Sequence, residues 1–136
     1  TGAYDNKSDT SATMYDQAND YISERYGVQP EHLWQEYPEY DVFRHPSRDG
    51  KGKWFAFLAN AAYEQIGEKA NNPNEETFVA VVKVDPELIN ELSTQPGYAR
   101  GYHMNNEHWL TVLLDGSVSF TDVCKHIDSS FQLTSD

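Results

Sequence analysis

The chain has 136 residues, long enough for one hydrophobic core and too short for two well-packed ones. Its 22 acidic and 10 basic side chains leave a formal charge of −12, which opposes generic association with nucleic acid or any other polyanion. Cys124, the single cysteine, excludes an internal disulfide and every multi-cysteine zinc pattern, and no apolar run reaches the roughly 18 residues that a spanning helix needs, so a cytoplasmic protein is expected.

Residues 1–12, TGAYDNKSDTSA, are small and polar without periodicity and read as a flexible tail or linker remnant, leaving 13–136 as the domain. Thr13 with Asp16 resembles a capping box, and Met14, Ala18, Tyr21, Ile22 and Tyr26 keep helical spacing until Gly27, so the first helix is expected over 13–26. After an irregular apolar stretch, 30–38, the runs YDVFRH (40–45) and KWFAFLA (53–59) flank PSRDGKG, a set of turn formers. This predicts a β-hairpin with a long tip. A polar connection, 64–76, leads to TFVAVVKV (77–84), whose continuous apolar character suits a central strand covered on both faces.

Asp85 and Pro86 stand where a helix prefers its cap and first residue, and Pro96–Gly97 ends the short helix they open. An extended arm at 99–103, a turn at Asn105–Asn106 and a strand at 108–114 predict a second hairpin. Ser119 with Asp122 opens a last helix whose apolar stripe is Phe120, Val123, Cys124, Ile127 and Phe131. The predicted order is α-β-β-β-α-β-β-α in one compact domain: an α+β class, mainly antiparallel sheet with helices packed against it.

The densest polar stretch is GYHMNNEHWLTV, 101–112. His103 and His108 with Glu107 and Asn105 do not complete the three or four convergent ligands of a zinc site, so no metal is expected. Their expected role is to satisfy backbone groups at the hairpin while Trp109 packs on a helix. Cys124 lies on an apolar stripe, where an inert thiol is expected, with His126 on another face of that helix. There is no nucleophile elbow and no glycine-rich phosphate loop, and no catalytic residue and no cofactor are expected.

For nucleic acid, the candidates are Arg44, Arg48, Lys51 and Lys53, which share the first hairpin with His45, extended by Lys83 and Arg100. The alternative is a solvated turn whose charges keep an edge strand from pairing with neighbours. For a protein partner, Trp34, Tyr37, Tyr40 and Tyr98 form a candidate amphipathic surface, and the acidic charge suits a basic partner.

Residues 81–133 resemble the C-terminal half of the MmcQ/YjbR family: a strand ending in K-V-D-P-E, a short helix, YHMN (Tyr102, His103, Met104, Asn105), the pair His108–Trp109, DGSV, and a helix containing IDSSF. GKWFAFL upstream also fits, so the resemblance covers roughly 14–134. It implies a double-wing, secretion-chaperone-like fold and a non-enzymatic module that binds DNA, or alternatively a protein partner or a second copy; from the residues, a small-molecule enzyme ranks third and no membrane association is expected. The chain departs from the pattern at Asn106 and Glu107, where the family often carries a cation.

Overall fold

The computed structural model describes residues 7–32, 40–46, 52–62, 76–100 and 108–135. Spacing by four brings Met14, Ala18 and Ile22 onto one face of α1 (Lys7–Tyr26), and this face is buried. Gly27 ends the helix at φ 66°, donating to the Ser23 carbonyl at 3.0 Å. Residues 7–12 belong to α1, ahead of the expected first residue at 13, so they are helix and not tail. Ser, Asp and Thr are tolerated in a first turn as well as at a cap, so the run from Ser8 to Thr13 offers several possible starts and the capping-box pattern picked the wrong one.

The remaining elements are β1 (Asp41–Arg44), β2 (Trp54–Ala62), β3 (Glu76–Lys83), α2 (Pro86–Leu92), β4 (Tyr98–Arg100), β5 (Trp109–Leu113) and α3 (Phe120–Leu133). Their order is the one expected, and the class is α+β. The five strands run β1-β2-β3-β5-β4, with every neighbouring pair antiparallel. β3 is central. Alternation sends its Ala80 and Val82 to the face that carries α1 and α3, and its Val79 and Val81 to the opposite face, where Tyr40, Val42, Phe57 and Leu113 form a second buried cluster.

One bulge shapes the helix-covered face. Phe43 pairs with Ala56 but Arg44 pairs with Trp54, so Phe55 is an extra residue on β2, and Phe55 and Ala56 both join the helix-side core. Tyr26 of α1 packs edge-on against Phe55 at 5.4 Å and stacks on Phe131 of α3 at 3.9 Å, tying both helices to the bulge.

Asp85 caps α2 by accepting from the Glu87 amide at 3.0 Å, and Pro86 occupies the first turn. Gly97 closes the corner to β4 at φ 88°, and a Cβ there would stand 2.6 Å from Val118 Cγ2. Glycine is needed twice over, for the backbone angle and for the contact. Ser119 caps α3 from the Asp122 amide at 3.2 Å, and Val123, Ile127 and Ser130 point inward.

Candidate functional site

Of the signature hairpin, Tyr102, His103, Met104 and Asn105 lie outside the described residues, as do Trp34, Tyr37, Arg48 and Lys51. At the hairpin's base, the His108 carbonyl accepts from the Val84 amide at 2.9 Å. Trp109 packs half-buried on the second cluster, on the sheet face away from α1 and α3, which corrects the expectation that it lies on a helix. The register explains this: Lys83 pairs with Trp109, and alternation gives the helix side to Leu110. Tyr40 and Tyr98 are both buried, in opposite clusters, so they share no contact surface. Among the described residues no group of three or more His, Cys, Asp or Glu stands close enough to hold a metal ion.

The candidate cations are spread out by the sheet. Arg44 lies on edge strand β1 and Arg100 on edge strand β4, four strand spacings or about 19 Å apart. Arg44 Nε stands 2.9 Å from Glu31 Oε2 without its N–H aimed at the oxygen, while Nη1 donates to the Gly52 carbonyl at 3.3 Å and the guanidinium covers Trp54. Arg100 donates to Asn90 at 2.6 Å. Lys53 is exposed, and Lys83 sits half-buried on the central strand. His45 is engaged by α3 and the residue that follows it: its ring packs on Phe131 at 4.1 Å and Nε2 lies 2.5 Å from Thr134 Oγ1.

A buried carboxylate that sequence reasoning missed stands on the helix side of β1. Asp41 Oδ2 accepts from the Tyr15 hydroxyl and from Asn19 Nδ2 at 2.9 Å, and Oδ1 lies 2.6 Å from His32 Nε2. Burial, then the bond to Asp41, pushes the Tyr15 hydroxyl well above the ordinary phenol range. These bonds pin α1 and the segment after it to an edge strand. The available signal was a carboxylate opening an otherwise apolar strand, DVF.

The final helix spends its polar residues in the same way. Asp128 accepts from the Tyr21 hydroxyl at 2.8 Å, from Arg25 Nε at 3.0 Å and from the Tyr26 hydroxyl, latching α3 to α1. Cys124 is half-buried, and burial raises its thiol, which disfavours the reactive thiolate. His126 is half-buried too, its Nε2 2.9 Å from the Tyr98 hydroxyl. The helix presents that face to the α2–β4 corner, and burial lowers the imidazole below its ordinary value.

What remains open is a groove between α2 and α3. Ile89 anchors α2 in the core, which turns Leu88 outward and leaves Leu92 half-buried between the core and the groove. Val84, Asp85, Leu88 and Leu92 form one wall, and Lys125, His126, Ser129, Gln132 and Leu133 the other, around about 580 Å³. Leu88 is 46% exposed and Leu133 49%, and they are the exposed large hydrophobic residues among those described. Both line this groove. Its apolar floor and polar rim can hold an apolar group and orient it with a few hydrogen bonds.

Residues 23–133 match the model of the YjbR family. The chain belongs to that family. Its relative YyaQ of Bacillus subtilis strain 168, an uncharacterised protein, is 30% identical over 114 residues, covering 84% of this chain and 92% of YyaQ. A crystal structure from Pseudomonas syringae has 39% identity and a TM-score of 0.79, covering 88% of this chain and 97% of that one. A Deinococcus radiodurans protein described as a DUF419 domain has 25% identity and a TM-score of 0.65, covering 87% and 75%. The YjbR features seen in this chain outside the hairpin have packing roles: Asp85 and Pro86 open α2, and IDSSF supplies the latch to α1 (Asp128) and core contacts (Ile127, Ser130, Phe131).

No described helix is long and apolar enough to cross a membrane.

Proposed function

We propose that this YjbR domain is a non-catalytic binding module that takes a polypeptide partner in the α2–α3 groove. The observation that carries this reading is the convergence of Leu88 and Leu133, both about half exposed, on one cleft with a polar rim. The Cys124 thiol supports a non-catalytic role, because burial holds it toward its protonated, less nucleophilic form.

DNA binding, which the family resemblance implies, has weaker support. Arg44 is matched by Glu31, it stands across the whole sheet from Arg100, and the acidic balance opposes a phosphate backbone.

Selection of random displayed peptides on the purified domain tests the polypeptide reading. The expected binders perturb amide resonances at 84–92 and 125–133 and are lost with Leu88→Asp or Leu133→Asp. A selection that yields no binder, or only binders indifferent to both substitutions, counts against it.

A further inference from the structure

Resting on that polypeptide reading, we propose that the groove's occupant is a cationic amphipathic helix of another protein, with its apolar stripe between Leu88 and Leu133 and its basic flank on the carboxylates of α2. The walls come from two helices, whose backbone groups are already hydrogen-bonded, so they offer no ladder to an extended strand. A helix needs only side-chain contacts at i, i+3, i+4 and i+7, which is what an apolar trough between two helices supplies.

The charge follows from the helical period of α2. Stepping about 100° per residue from Ile89 in the core, Leu92 and Leu88 come next and reach the groove. Glu91 follows beside Leu88 and Glu87 lies one turn before it on the outer face of α2, both exposed and outside the groove's lining, while Asp85 at the cap lines the groove itself. From α3, Asp122 lies one turn before His126. Lys125 is the cation that lines the groove. His126 adds no charge near neutral pH because burial favours its neutral ring. Arg100 is held by Asn90, on the side of α2 turned away from the groove. Asp85 and Lys125 are thus the charged groups lining an apolar floor, and the exposed face of α2 that flanks it is acidic.

The same charges argue against a second copy of this chain. A two-fold contact sets each surface against itself, so Glu87 and Glu91 would meet an equally acidic face on a body of charge −12. A basic partner meets attraction at every one of these positions.

The peptide selection, read for sequence and salt dependence, decides the matter. Enriched peptides are expected to carry Leu, Ile or Phe at helical spacing beside Lys or Arg, to gain helical circular dichroism on binding, and to weaken about tenfold between roughly 0.05 and 0.5 M salt. Glu87→Lys with Glu91→Lys should reproduce that loss at low salt. Acidic or neutral peptides that still need Leu88 and Leu133 overturn the cationic assignment alone, and peptides bound without helical signal overturn the helix. Failure of every peptide to depend on the two leucines overturns the polypeptide reading itself. A wild-type dimer in light scattering that Leu133→Asp converts to monomer gives the groove to a second copy and overturns the proposal.

Discussion

The Ser130 hydroxyl donates to the Phe55 carbonyl at 2.5 Å, joining residues 75 positions apart in sequence. The same oxygen accepts from the Lys83 amide at 2.8 Å. The β2–β3 ladder has its last pair at Ala56 and Val82, and the bulge at Phe55 leaves the next carbonyl and amide without each other. One hydroxyl of α3 fills the gap. Ser130→Ala should lower stability by about 2 kcal/mol, because it leaves both backbone groups buried and unpaired. Urea unfolding checks this, with the midpoint expected to fall at unchanged slope.

Asp41 is the second polar pin, its side chain only 6% exposed. Asp41→Ala removes the acceptor for Tyr15, Asn19 and His32 together and should cost about 3 kcal/mol, against about 1 kcal/mol for Asp41→Asn, which keeps one acceptor. Thermal unfolding of both variants gives the comparison, and equal costs would show that the one acceptor retained by asparagine contributes nothing.

Alkaline pH should unfold the domain in a defined direction. Burial, then bonds to Asp128 or Asp41, raises Tyr15, Tyr21 and Tyr26 above the ordinary phenol value of 10.0. The folded state keeps these protons where unfolded phenols release them, so the stability they contribute is full below about pH 10 and is lost as pH rises through the folded values. Absorbance at about 295 nm should show these tyrosines ionising together with loss of near-ultraviolet dichroism. Complete titration near 10 with the fold intact would contradict the latch geometry.

For DNA, the expected result is no retardation of a labelled duplex at micromolar protein, even at low salt, where backbone contacts are strongest. A shift that falls steeply with salt and disappears in Arg48→Glu with Lys51→Glu would instead establish the hairpin as a nucleic-acid surface.

Local signals carried most of the fold. Alternation, helical spacing and turn chemistry placed every described element in the right order, because neighbours in sequence decide helix and strand. They were weakest at the start of α1, where Ser8, Asp9, Thr10, Ser11 and Thr13 are all acceptable beginnings. The site was less legible. No local signal separates Leu88 and Leu92 from the buried face of a short helix, and Leu133 lies off the apolar stripe of α3 with nothing in its neighbours to mark it.

Sequence by itself determined the class, the family and the acidic character, since these rest on composition and on patterns within a few residues. Only the tertiary structure decided which polar residues are occupied and which surface is open. Strand order sent Arg44 and Arg100 to opposite edges, the bulge at Phe55 drew Ser130 into the sheet, and packing Ile89 into the core turned Leu88 toward Leu133. Each depends on contacts between residues far apart in the chain, and no local period encodes them.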